Sequence, residues 1–372
     1  MFERWAGIWY TEYLVAHACQ PPVVLLAPDS FKGTFTASAV AEALAVGVGS
    51  QGAWPDRCPV ADGGEGTLDV LVAAAAGSIV AAEAHDPLGR ARAGRFGLLA
   101  GGTVAIVETA EASGLGLVEE AERDCEAAST RGTGELLVAA ARAGARRILL
   151  GVGGSGTTDG GWGAIEAIRE AGGLGDAEVV ILCDVTTPFE DAAQVFGPQK
   201  GADAAAIGRL TSRLHALAQR LDRDPRGVPM TGAAGGLSGG LWAEVGATLV
   251  PGAAAVLDAV GFDLRLRHAA AVVAGEGRID PQSLAGKIVG EIAARAARAG
   301  VPMHIVVGRD QLDSRSREQL GPASIREATT LEAIAEAGSR ICRQARARVT
   351  VAPTAAPPQP DVEIRGHAAA AG

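Results

Sequence analysis

The chain has 372 residues, 48% of them hydrophobic and 20% charged, the balance of a soluble globular protein and not of a disordered one. Its net charge of −10 argues against broad binding to nucleic acid or anionic membrane, which needs a basic surface. No apolar run reaches membrane-spanning length, and a chain this long exceeds one compact core, so two domains are expected.

Residues 1–22 lack the basic start and clean apolar core of a secretory signal and read as an N-terminal extension. From Val23 the pattern is strand, loop, helix. "VVLLA" is a buried strand, "PDSFKGTFTAS" a loop, and Val40, Leu44 and Val48 mark a helix face that Thr36 or Ser38 would cap. "RCPVA" reads as a second strand, and "DGGEGT" precedes a helix carrying Leu68, Leu71 and Val72. The texture then changes, because "ARAGRFGLLAGGTVAIVETA" holds two extended runs joined at Gly101-Gly102, a hairpin signal. A helix around Glu135–Arg142, a strand at Ile148–Leu150, a glycine loop, a helix, the strand "VVILC" and a helix over 204–221 follow. After "TGAAGG" and another helix, the first style returns. "AAVVAG" is a strand, "EGRIDPQSLAG" a loop, Ile288 and Ile292 line a helix, and "MHIVVG" is the next strand.

A discontinuous α/β domain over 23–76 and 268–350, with a second mixed α/β domain inserted at 77–267, is the economical reading. The Pro- and Ala-rich stretch 351–372 reads as a disordered tail. Five scattered cysteines (Cys19, Cys58, Cys125, Cys183 and Cys342) form no C-x-x-C pair. Neither a zinc knot nor a disulfide framework is indicated, and a reducing cytoplasm fits.

Asparagine is absent, and only three of the 33 basic residues are lysine: Lys32, Lys200 and Lys287, each beside glycine. A flexible ammonium where backbone can approach closely suits phosphate or carboxylate contact. "GVGGSGTTDGG" contains a formal G-x-G-x-x-G. A dinucleotide fingerprint would also need an acid roughly 20 residues on. The available one, Asp184, is further away, and Asp159 stands where a pyrophosphate would lie. An NAD-dependent oxidoreductase is therefore disfavoured. A backbone nest for an anion survives, with Asp159 available for Mg²⁺ or a substrate hydroxyl.

That loop is one of several Gly- and Asp-bearing loops, many placed just after a strand, where open α/β sheets bind ligands. They are "APDSFKG" (Asp29, Ser30), "PVADGGEGT" (Asp62, Gly63, Gly64, Glu65), "STRGTGE" (Ser129, Arg131, Thr133), "GSGTTDGG" (Gly154 and Ser155, with Gly153 just before it), "CDVTTP", "FGPQKGA", "GAAGG" (Gly235) and "AGEGRIDPQSLAGK" (Glu276, Asp280). Stacked carboxylates, lysines and exposed N–H groups suit phosphoryl transfer.

In this order and spacing the loops closely resemble those of the type I glycerate kinases, bacterial enzymes that move the γ-phosphate of ATP to D-glycerate. The resemblance runs from about Val23 to Ile341. It implies two α/β domains, one flavodoxin-like, with the active site in the cleft between them. It also implies ATP and Mg²⁺ as cofactors, glycerate as substrate and 2-phosphoglycerate as the favoured product, with 3-phosphoglycerate left open. Thr158 and Thr187 stand where such kinases commonly have asparagine.

Lys32 is the first choice for the transferred phosphate or the glycerate carboxylate, Lys287 opens a helix where N–H groups act with it, and Lys200 is a weaker candidate for nucleotide phosphate. Asp62, Asp184 and Asp280 follow strands. One is expected to accept the hydroxyl proton, Asp62 first, and Asp184 or Asp159 to bind metal. Glu65 and Glu276 would hold metal or substrate, and Asp29 is equally well read as a cap. Ser129, Arg131, Thr133 and Ser155 would offer donors to an anion. A homodimer is left open, and a non-catalytic sugar-acid-binding protein is the remaining alternative.

Overall fold

The computed structural model describes residues 21–284 and 287–349. Residues 1–20 of the expected extension and the whole of 351–372 lie outside them. The strands are β1 (Val23–Pro28), β2 (Trp54–Arg57), β3 (Ser78–His85), β4 (Ala91–Leu99), β5 (Val104–Glu108), β6 (Arg147–Gly151), β7 (Glu178–Leu182), β8 (Thr248–Val250), β9 (Ala271–Ile279), β10 (Met303–Asp310) and β11 (Ser324–Glu327). They form two sheets, ordered β11-β10-β9-β1-β2 and β3-β4-β5-β6-β7-β8.

The first sheet is parallel throughout, and its order is the flavodoxin-like one, with the topological switch point between β1 and β9. These two central strands are the apolar runs "VVLLAP" and "AVVAG". Both are buried, as a parallel strand covered on both faces requires. Leu25, Leu26, Val272 and Val273 are all 0% exposed, and each such side chain contributes about 1.5–3 kcal/mol of transfer free energy. The second sheet is mixed. β3, β4 and β5 are antiparallel, and β5 through β8 run parallel. The hairpin expected at Gly101-Gly102 joins β4 to β5.

Three apolar cores stack through the molecule. One lies between the first sheet and the helices Ala37–Ser50 and Leu331–Val349. A second joins the other face of that sheet to one face of the second sheet through the helices Thr67–Ala74, Gly252–Ala259 and Ile288–Ala299. The third covers the far face of the second sheet with the helices Arg131–Arg142, Trp162–Glu170, Ala204–Ala218 and Leu237–Glu244. Thr36 does cap its helix, its hydroxyl accepting the Ala39 N–H at 3.2 Å.

Some elements differ from expectation. The second strand lies at Trp54–Arg57, and "CPVA" continues as a partial ladder in which Cys58 and Val60 donate to Leu26 and Pro28. Pro59 between them has no N–H to give. β3, β8 and β11 were not anticipated, being short or polar edge strands whose apolar alternation is weak.

Candidate functional site

The register pairing Pro28 with Gly275 sets the next residues, Asp29 and Glu276, at adjacent positions just past the end of β1, while β9 runs on to Ile279. A crevice of about 470 Å³ opens there, lined by Asp29, Ser30, Lys32, Asp62, Glu276, Asp280 and Lys287, with Phe31, Phe35 and Ile288 as its apolar surface. A second cavity of about 630 Å³ adjoins it and shares Asp29, Ser30, Lys32, Thr34 and Phe35. Its far side includes Arg92, Arg95 and Glu108 from the second sheet and Glu111 from the short helix Ala110–Ser113, with Glu65 and Asp69 from the intervening loop and helix. Lys32 thus stands on the wall common to both.

The Lys32 side chain is 64% exposed, and its Nζ lies 4.0 Å from Asp62 Oδ2. That carboxylate, more than any other neighbour, holds the ammonium's pKa above its usual range. Asp62 Oδ1 accepts the Gly64 N–H at 3.0 Å. Asp29 is buried and accepts the Ser30 N–H at 2.6 Å. Burial, reinforced by the charge of Asp62, pushes its pKa up to about 8. Burial likewise pushes Glu276 up to about 7, and Glu276 Oε1 is buried without a hydrogen-bond partner. Asp280 lies 3.6 Å from the Arg278 guanidinium. Lys287 occupies the N-cap position of the helix Ile288–Ala299, so its ammonium and the first N–H groups face the same crevice.

The loop Cys58–Gly66 crosses from the first sheet to the second. A Cβ on Gly63 would sit 3.0 Å from Leu182, and one on Gly153 only 2.4 Å from Gly64 Cα. Gly63, Gly64, Gly153 and Gly151 therefore serve close backbone contact between the sheets. Gly235 is likewise pressed against the Thr157 carbonyl, 2.0 Å from where its Cβ would be. The anion-nest reading of "GVGGSG" finds a packed loop in its place.

Other expected site residues are also engaged elsewhere. Asp159 is buried, and its oxygens accept the N–H groups of Thr130, Gly161 and Gly163 and the Thr130 hydroxyl. Those donors fill the coordination a metal would need. Lys200 is 2% exposed and donates to Ser155 Oγ and the Thr157 carbonyl, far from water. Ser129 Oγ accepts the Arg131 N–H, Arg131 pairs with Glu135 and Glu170, and Thr133 donates to Ser113. None of these lines either cavity. Asp184 lies beside Asp62 and outside the lining. It accepts the Ala253 N–H at the start of the helix Gly252–Ala259, and burial pushes it to about 7. Thr158 Oγ1 is buried without a partner.

Sequence reasoning missed Glu108, Glu111, Arg92, Arg95 and Arg278 in these linings. Glu108 had a usable signal, an acid ending the apolar strand "VAIVE". The arginines had none, since thirty of them are spread along the chain.

A flavodoxin-like parallel sheet with a charged crevice at its switch point, faced by a second, mixed sheet, defines an α/β protein of the kind that binds ligands at its strand ends. Comparison with known proteins narrows the class. The sequence model described as the glycerate kinase family matches residues 24–171 and 169–353. The glycerate 2-kinase of Escherichia coli (strain K12) is 34% identical over 367 residues, covering 87% of this chain and 96% of that one. The glycerate kinase of Bacillus subtilis (strain 168) is 36% identical, covering 89% and 98%. A crystal structure from Salmonella typhimurium LT2, designated glycerate kinase 2, superposes with a TM-score of 0.76 at 31% identity and covers 89% of this chain and all of that one. The chain belongs to the glycerate kinase family and is accordingly a kinase, a phosphotransferase.

Proposed function

We propose that the chain phosphorylates D-glycerate with ATP, giving ADP and 2-phosphoglycerate, in the crevice between the two sheets. The observation that carries this is Lys32 standing between two adjoining cavities, with Asp62 4.0 Å from its ammonium. Two ligands seated one on each side would meet at that ammonium, where charge develops on the transferred phosphoryl group. Asp62 would accept the hydroxyl proton, a role supported by Gly64 holding one of its oxygens while the other faces Lys32. The helix beginning at Ile288, with Lys287, supports binding of phosphate oxygens.

Asp29 and Glu276 would hold Mg²⁺. Asp29 is buried and Glu276 half-buried at adjacent register positions of β1 and β9, and Glu276 Oε1 has no protein donor. A divalent cation would relieve the cost of ionising them. No three such ligands converge into a cage among the described residues, which suits an ion that takes only one or two carboxylates plus nucleotide phosphates. When bound, the ion supplies charge neutralisation on those phosphates.

The E. coli relative's name gives the 2-position, and the proposal adopts it. The test is ADP release with D-glycerate and related sugar acids, the product's phosphate position being read by phosphorus NMR. Reduction of NAD by glycerate would replace the kinase with an oxidoreductase. Binding of both ligands with no ADP would make the chain a binding protein.

A further inference from the structure

Glu108 ends β5 in the second sheet, is 4% exposed, and lines the larger cavity. Its Oε1 accepts the Leu68 N–H at 2.5 Å across a sequence separation of 40. The helix Thr67–Ala74 starts after Gly66, whose position gives no side-chain cap. The first N–H groups of a helix have no partners within it. Here an acid from the opposite sheet supplies one.

The same helix start is tied to the crevice. The Thr67 hydroxyl donates to the Gly64 carbonyl at 2.7 Å, the Gly64 N–H donates to Asp62 Oδ1 at 3.0 Å, and Asp62 Oδ2 faces Lys32 at 4.0 Å. Glu108 also closes the loop from behind. A Cβ on Gly151 would lie 2.8 Å from the Gly63 carbonyl and 3.6 Å from Glu108 Cγ, so acid and loop abut the same bare backbone.

We infer that Glu108 is a positioning residue for phosphoryl transfer. By capping the helix Thr67–Ala74 from the second sheet, it fixes the Asp62–Glu65 loop and so aims Asp62 at the reacting centre. Burial raises the Glu108 pKa to about 7, and in either protonation state the side chain keeps an oxygen that accepts the Leu68 N–H. The effect acts through Leu68, Thr67 and Gly64, and Glu108 itself need not touch substrate. The inference rests on the kinase reading above.

The test compares E108L and E108A, which remove the acceptor, with E108Q, which keeps a carbonyl oxygen in the same place. Leucine fills the buried space, so E108L avoids the cavity that destabilises E108A. Expected results are a fall in kcat per folded molecule on the order of 10²-fold in E108L, an unchanged KM for ATP, and most of the wild-type kcat in E108Q. Exchange of the Leu68 amide, slow in the wild type and E108Q, becomes fast in E108L. A merely structural role would lower Tm and leave kcat of the folded molecules intact. That outcome in E108L, or an E108Q as slow as E108L, overturns the inference. A wild-type protein that releases no ADP with D-glycerate overturns the kinase reading instead, a result seen before any variant is made.

Discussion

Two groups of glycine-rich, aspartate-bearing loops look alike as strings of residues and behave differently as structure. At the ligand-facing edge of the first sheet, "PDSFKG" on one side and Glu276 and Lys287 on the other leave Lys32, Asp29, Glu276 and Lys287 around open space. At the carboxyl end of β6, "GVGGSGTTDGG" is packed solid. Gly153 is pressed on Gly64, Asp159 is surrounded by donors, and Lys200 is shut in behind Ser155. Glycine permits a backbone to approach another group, whether a ligand or another backbone. What separates the two cases is whether the charged neighbours of the glycines already have protein partners.

The sharpest way to break this contrast is on the open side. Lys32→Ala should lower turnover by on the order of 10²–10³-fold, as loss of one group stabilising developing charge does. Its melting temperature should stay near that of the wild type, because the side chain is mostly exposed. ADP release and calorimetry on the same sample read both. Near-normal turnover would remove Lys32 from the reacting centre.

The matching substitution on the packed side should do the opposite. Asp159→Ala strands the N–H groups of Thr130, Gly161 and Gly163 in the interior, at about 1–3 kcal/mol for each unsatisfied donor. A loss of at least about 3 kcal/mol in chemical denaturation is expected, with the Mg²⁺ dependence of the remaining folded protein unchanged. A folded variant that loses its Mg²⁺ response would return Asp159 to the metal site.

The contrast also explains what could be read in advance. Alternation between βαβ units and a hairpin marks the discontinuous architecture, because apolar runs such as "VVLLAP" and "AVVAG" are buried on both faces and keep their pattern. Lys32, Asp62, Glu276 and Lys287 were legible as chemistry-bearing residues after strands or at a helix start, and they line one crevice. Asp159, Lys200, Arg131 and Ser155 carried the same local signature. Their partners (Thr130, Thr157, Glu170, Glu135) become partners only through tertiary contact. Glu108 had a local signal as an acid ending an apolar strand, but its role as a cap depends on a helix start 40 positions away.

Titration separates the regions less forcefully. On the open side, Asp29 has its folded pKa raised from 3.8 to about 8, chiefly by burial. Between those values the folded state holds a proton that the unfolded state has released. Its contribution to stability is therefore full below about pH 4 and is lost as pH rises towards 8. Asp29→Asn should flatten that part of the stability profile, measured by urea denaturation without ligands. An unchanged slope would assign the fall to other groups.

On the packed side the sign reverses. Burial lowers Lys200 from 10.5 to about 7, so between those values the unfolded chain binds a proton that the folded one does not. Stability then rises with pH across that window, as the cost of stripping the proton on folding disappears. Lys200→Met keeps the volume and removes the titration. Replacement also strands the Thr157 carbonyl that Lys200 serves, a loss that does not vary with pH. The variant should thus compare best with the wild type at pH 7 and fall progressively behind towards pH 10.5. Because Lys200 touches neither cavity, KM for ATP should be the same in both proteins. A selective rise in that KM would mean that the closed loop opens to the nucleotide, and the distinction between the two loop groups would then be one of conformation and not of chemistry.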